Sequence, residues 1–147
     1  MKLFLILSSI AMALLTAASV QAQNNVTATS AQEPGAKLRP SGMVYRSLKD
    51  GSGASPSAND KVKVHYRGTL PDGKEFDSSY KRNEAIEFPL NRVIACWTEG
   101  VQLMKVGGRA KLTCPPATAY GERGAGGVIP PNATLFFEVE LLAINGK

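Results

Sequence analysis

Three stretches of this chain alternate apolar and polar side chains with a period of two, which commits it to a sheet with one buried and one wet face. From Lys61 to Gly68, Val62, Val64 and Tyr66 fall on one side and Lys61, Lys63, His65 and Arg67 on the other, so Tyr66 points in and His65 out. Arg109 to Cys114 alternates again with Leu112 and Cys114 inward, and Pro115-Pro116 stops the pairing because proline lacks the amide donor a ladder needs. Thr134 to Ile144 sets Leu135, Phe137, Val139 and Leu141 against Phe136, Glu138 and Glu140.

Shorter pieces complete the sheet. A first strand is predicted from Met43 to Leu48, ending in Asp50-Gly51-Ser52-Gly53. Glu75 to Ser79 and Ile86 to Leu90 read as two strand fragments separated by a polar bulge, Tyr80 to Glu84, after a Pro71-Asp72-Gly73 turn. Only Val93 to Met104 carries a helical stripe, Val93, Trp97, Val101 and Met104, closed by Gly107-Gly108. Several antiparallel strands and one helix make an α+β domain in which the helix covers one face of the sheet.

The first residues have a different character. Lys2 is followed by an apolar run from Leu3 to Leu15 and by small residues ending Val20-Gln21-Ala22, the pattern of a secretory signal peptide over residues 1–22. The run is shorter than the ~20 apolar residues a spanning helix needs, so no membrane insertion is expected after cleavage. Residues 23–40 are small and polar without an apolar period and read as a flexible leader, leaving residues 41–147 for a single domain. Loss of Lys2 reduces the formal net charge of +5 by one, and the remaining cations are dispersed, which argues against nucleic acid as a partner. No helical dimerisation segment precedes Ser41, so a monomer is expected.

Cys96 and Cys114 both lie beyond the predicted signal. In an oxidising compartment they either bridge or remain as two buried thiols. A bridge would stabilise by about 3 kcal/mol through loop closure. His65 is the sole histidine, so neither a catalytic triad nor a histidine metal site is expected, and Gly124-Ala125-Gly126 does not lead into a phosphate-binding helix. No metal or cofactor is therefore predicted. What remains is an aromatic and aliphatic set, Tyr66, Phe76, Ile86, Phe88, Val93, Ile94, Trp97, Tyr120, Ile129 and Phe137. Each alone reads as core. With Asp77 beside Phe76, Arg82 in the bulge and Tyr120 opening the long loop from Pro115 to Asn132, the set also reads as the lining of a pocket.

Tyr66-Arg67-Gly68, Asp72 to Ser79, Val93-Ile94 followed by Trp97, Gly100-Val101-Gln102, Ala119-Tyr120-Gly121 and Ile129 to Leu135 resemble the FKBP-type peptidyl-prolyl cis-trans isomerases, in the family's order from about Ser41 to Asn145. The resemblance implies a twisted antiparallel sheet wrapped around one short helix. It further implies Trp97 as the pocket floor, with Tyr66, Phe76, Ile86, Phe88, Val93, Ile94 and Phe137 as walls. Val128 and Ile129 would be substrate contacts from the long loop. The Ile94 N–H and the Tyr120 hydroxyl would donate to ligand carbonyls, and Asp77 would face the pocket, held by Tyr66 and Arg82. Many relatives have glycine where this chain has Cys96, which would put a Cys96–Cys114 bridge near the floor. Ala125 stands where some relatives carry an aromatic or histidine, so loop contacts to ligand are expected to be weaker.

The activity so implied is isomerisation of Xaa-Pro bonds in exported polypeptides, in a bacterial periplasm, with a macrolide as a candidate inhibitor. Resonance holds an Xaa-Pro bond planar and makes its turnover slow, while the twisted transition state is less dipolar. A dry pocket favours that state without nucleophile, metal or cofactor. Two other classes compete: a binding module that holds apolar or proline-containing segments without turnover, and a disulfide-stabilised domain with no ligand.

Overall fold

The structure, a computed structural model, describes residues 25–145, so the predicted signal peptide lies outside the described residues. Seven strands, β1 (Ala36–Leu38), β2 (Val44–Lys49), β3 (Lys61–Thr69), β4 (Glu75–Ser78), β5 (Ile86–Pro89), β6 (Arg109–Cys114) and β7 (Leu135–Asn145), form one antiparallel sheet among the described residues. The order along it is β1-β2-β6-β7-β3-β4, and β5 also pairs with β3. The bulge expected between Ser79 and Ile86 explains this edge. The first half of β3, Lys61 to Val64, pairs with β5, and Arg67 to Thr69 pairs with β4, so the chain between them is pushed out of the ladder. Register shifts at Ser47/Lys49, Lys63/Val64 and Gly68/Thr69 add local twist.

The inward face carries the side chains that alternation selected. Val62, Val64, Leu112, Leu135, Val139 and Leu141 are all fully buried. They pack under α2 (Ala95–Gln102), whose buried residues are Cys96, Trp97, Gly100 and Val101. The helix is shorter than its stripe predicts. Leu90–Arg92 forms a 3-10 turn, Val93 and Ile94 are extended, and at the far end the amides of Leu103 and Met104 reach back only three residues, to Gly100 and Val101. Val93 therefore leaves the helix, while Trp97, Val101 and Met104 stay buried.

An eight-residue helix is marginal alone, so its seat comes from tertiary contacts. The Thr98 hydroxyl donates to the Leu90 carbonyl at 2.8 Å. A Cβ built on Gly100 would lie 2.7 Å from Leu112 Cδ2, so the absence of a side chain here lets α2 sit against β6 without displacing the Leu112 methyl groups. One turn earlier, Cys96 and Cys114 form a disulfide across a sequence separation of 18, resolving the two alternatives for these residues in favour of the bridge.

The leader differs from expectation. Residues 25–31 form a helix, α1, and β1 pairs with β2 from Ala36↔Arg46 to Leu38↔Val44. This segment is therefore neither featureless nor outside the sheet. Val26, Thr29, Ser30 and Glu33 border one groove with Lys111 and Phe136 on the outer side of the sheet, where Val44 and Thr113 are almost fully buried. Glu33 accepts from Arg46 at 2.8 Å and Lys111 at 2.7 Å, and the Lys111 ammonium also sits 4.8 Å from the Phe136 ring centre. Small residues permit close approach and ion pairs hold it, so no apolar period is needed. No helix among the described residues is long and apolar enough to cross a membrane.

Candidate active site

Tyr66 lies mid-β3 with its ring inward, and β4 places Asp77 one register step away, opposite Gly68. The Tyr66 hydroxyl donates to Asp77 Oδ2 in a short hydrogen bond, and Arg82 NH1 reaches Asp77 Oδ1 at 2.5 Å. Arg82 NH2 donates to the Tyr66 hydroxyl at 3.1 Å, and the Ser78 amide to Asp77 Oδ1 at 2.9 Å. The bulge predicted at Tyr80–Glu84 is what carries Arg82 back over this pair.

Partial burial alone would raise the Asp77 pKa, but the donors from Tyr66 and Arg82, the Arg82 charge and the Ser78 amide more than offset it, so the carboxyl is held below its ordinary value. For Tyr66, desolvation and the hydrogen bond to Asp77 raise the phenol above its ordinary value against the opposing effect of Arg82. At neutral pH the trio is thus a carboxylate, a neutral phenol and a guanidinium, and no member is positioned as a strong nucleophile.

Trp97 occupies the centre of the aromatic set. Its ring meets Tyr66 edge-on at 5.1 Å, Phe137 edge-on at 5.2 Å and Phe88 tilted at 5.4 Å, and Phe137 in turn meets Phe76 edge-on at 5.6 Å. Such edge-to-face pairs add about 1 kcal/mol each beyond area burial. The buried Trp97 ring N–H has no hydrogen-bond partner among the described residues. Tyr66 and Phe137 are buried, while Phe76, Ile86, Phe88, Val93 and Ile94 are half-buried and pack against the same cluster. The side chains that the family resemblance assigns to floor and walls thus pack in one cluster.

Ile94 is the N-cap of α2, with extended backbone. Its carbonyl accepts from the Trp97 and Thr98 amides, whereas its own N–H precedes the first turn, where a helix offers no internal acceptor. The long loop is a nest of turns. The Gly121 amide donates to the Pro116 carbonyl, the Asn132 amide closes onto the Gly121 carbonyl at 2.8 Å, and Ala125 and Ile129 bridge at the tip. Tyr120 is 42% exposed and Val128 49% exposed, while Ile129 is buried. Of the two loop residues named as substrate contacts, Ile129 joins the core cluster and Val128 stays in solvent.

Residues 53–142 match the family model of the FKBP-type peptidyl-prolyl cis-trans isomerases. The chain belongs to this family. The FKBP-type peptidyl-prolyl cis-trans isomerase FkpA of Aeromonas hydrophila is 57% identical over 117 residues, which make up 80% of this chain but 43% of that protein. The crystal structure of FkpA from Escherichia coli matches with a TM-score of 0.84 and 43% identity, covering 92% of this chain and 63% of that one. A peptidyl-prolyl cis-trans isomerase structure from Pseudomonas syringae matches with a TM-score of 0.82 and 40% identity, covering 88% of this chain and 95% of that one. The chain thus spans less than half of its Aeromonas relative and nearly all of the Pseudomonas structure.

Within this FKBP-type domain one supporting residue escaped the sequence reading. Ser79 is fully buried behind Tyr66, accepting from the Tyr66 amide at 2.7 Å and meeting His65 Nδ1 at 2.8 Å. His65, predicted to face solvent, is half-buried and stacks on Tyr80 at 4.7 Å. The pair Ser78-Ser79 at the end of a short strand was the available signal, since small hydroxyls there can satisfy backbone groups where a ladder breaks.

Proposed function

We propose that this chain catalyses cis-trans isomerisation of Xaa-Pro bonds in exported, incompletely folded polypeptides. The observation that carries the reading is the aromatic cluster centred on Trp97, flanked by the Tyr66–Asp77–Arg82 network. A proline ring is apolar and rigid, and Trp97 with Phe88 and Phe137 offers it a flat, carbon-rich seat. The Ile94 N–H and the Tyr120 hydroxyl are the donors assigned to the substrate carbonyls on either side of the bond.

Rotation about the amide removes resonance and lowers the dipole of the carbonyl. Water stabilises the planar, more dipolar ground state, so moving the bond into an apolar cleft narrows the gap to the twisted state. Asp77 is assigned to set the polarity of one wall, with Tyr66 and Arg82 fixing its charge and orientation. Phe76, Ile86, Val93 and Ile129 shape the remaining wall, and Val128 is assigned to contacts with the polypeptide outside the cleft. The reading includes export by a signal peptide over residues 1–22, a periplasmic site of action, a monomeric state and binding of a macrolide inhibitor in the same cleft.

The test is isomerisation of a short Xaa-Pro peptide by the chain from Gln23 onward, beside a Tyr120→Phe, Asp77→Ala double variant. Catalysis that is lost in the variant upholds the reading. A folded protein that binds proline peptides without accelerating them would instead be a holding module.

A further inference from the structure

We propose that Gly68 is a positioning residue of the pocket: the side chain it lacks is the space into which Phe76 and Phe137 close against each other. The inference rests on the isomerase reading of the same site. Gly68 is buried on the inward face of β3, two residues beyond Tyr66, and in the sheet it lies between Asp77 of β4 and Phe137 of β7. It is therefore flanked on both sides by residues of the site.

A Cβ built on Gly68 would lie 2.5 Å from Phe76 Cζ, 2.8 Å from Phe76 Cε2 and 3.0 Å from Phe137 Cε1. All three nearest atoms are ring carbons. Carbon pairs rest at about 3.5–4.0 Å, so a single methyl group requires the Phe76 ring to retreat by roughly 1 Å. Phe137 has little freedom to yield, since it is 5% exposed and is held edge-on by Phe76 at one side and Trp97 at the other. Phe76, half-buried on a four-residue edge strand, is the ring that moves. Its displacement opens the Phe76–Phe137 contact beside Asp77, so the wall of the cleft changes while the strand register need not.

The experiment is a cycle of four proteins: wild type, Gly68→Ala, Phe76→Leu and the double variant, each followed by Xaa-Pro isomerisation over a range of peptide concentrations. Leucine lacks the two ring atoms that the new methyl group would strike. Gly68→Ala is expected to lower kcat/KM by about tenfold or more in the wild-type background. In the Phe76→Leu background the same change is expected to alter it less than about twofold, a coupling that a uniform loss of stability would not produce. Separate kcat and KM values show whether the loss lies in turnover or in seating the peptide.

Wild-type kcat/KM in Gly68→Ala, or an equal loss in both backgrounds, overturns the proposal. So does a fold lost in Gly68→Ala and not regained with Phe76→Leu. Should the wild-type chain show no isomerisation, the functional reading fails by itself. Ring placement is then read from the near-ultraviolet circular dichroism of Trp97, expected to change with Gly68→Ala and to be restored toward the Phe76→Leu spectrum in the double variant.

Discussion

Replacing Cys96 and Cys114 together by alanine should weaken the domain at the place where the pocket floor is anchored. The bridge closes a loop with a sequence separation of 18, for which the chain-entropy relation gives about 3 kcal/mol of stabilisation. Both residues are 0% exposed, so losing the sulfur atoms also leaves a small packing defect of about 1 kcal/mol. For a domain of this size the sum corresponds to a fall in Tm of roughly 15 °C. Cys96 precedes Trp97 in the first turn of an eight-residue helix, so this loss should be accompanied by looser seating of the indole. Urea titration and thermal melting of the oxidised wild type, the double variant, and wild type reduced in denaturant and refolded under reductant provide the measurement. The reduced wild type should lose the loop-closure part and lie above the variant by the packing term of about 1 kcal/mol, and reductant should not change the variant itself. A difference below about 1 kcal/mol between oxidised wild type and variant would refute the argument, since the bridge would then not constrain the unfolded chain as calculated.

Asp77→Ala should lower isomerase turnover by about tenfold with the fold intact, because Tyr66 and Arg82 lose the carboxylate that orders them; unchanged turnover removes Asp77 from the site. Phe137→Tyr should also lower turnover, by adding a polar hydroxyl to a buried ring that Phe76 and Trp97 meet edge-on, and wild-type rates would contradict the packing around Trp97. The Asp77 pKa is lowered and the Tyr66 pKa raised, so neither changes charge between about pH 5 and 9, and their contribution to the kcat/KM profile should be flat there. A slope in that range that disappears in Asp77→Asn would show the carboxylate titrating where it should not. Glu33→Gln should destabilise the packed amino-terminal segment by no more than about 1 kcal/mol at neutral pH. The hydrogen bond from Lys111 is the largest cause of the lowered Glu33 pKa. A depressed folded-state pKa stabilises above the unfolded value and ceases to do so as pH falls through the folded value, so variant and wild type should converge once the pH lies below that folded value. A stability gap that persists there would show that the ion pairs are not its source.

How far the site could be read from the chain depends on the range of the interactions that build it. Tyr66 was legible as an inward residue because strand alternation is local, whereas Asp77 was legible as pocket-facing only through the family resemblance. The role of Arg82 was legible as a family resemblance, and its contact needs the β4–β5 bulge to fold back onto β3. Ser79 and Gly68 stood inside the motifs of the family resemblance, but nothing in their own residue types announced a role at the site. A buried serine and a strand glycine are ordinary residues until the neighbouring strand supplies the amide that one caps and the rings that the other admits. The same reasoning explains the ends of α2: periodicity marked Val93 and Met104 as apolar, but an extended Val93–Ile94 and a tightened last turn decide where the helix stops.

The sequence by itself determined the α+β class and the faces that β3, β6 and β7 bury, because a period of two or of 3.6 is written in consecutive residues and needs no distant partner. Tertiary structure alone decided that residues 25–38 join the fold, since Glu33 finds Arg46 13 positions away and Lys111 78 positions away. It alone decided that Cys96 meets Cys114, and that Gly68 must remain bare. Those outcomes depend on which surfaces the packed sheet brings within a few ångströms, and that proximity is a property of the assembled chain.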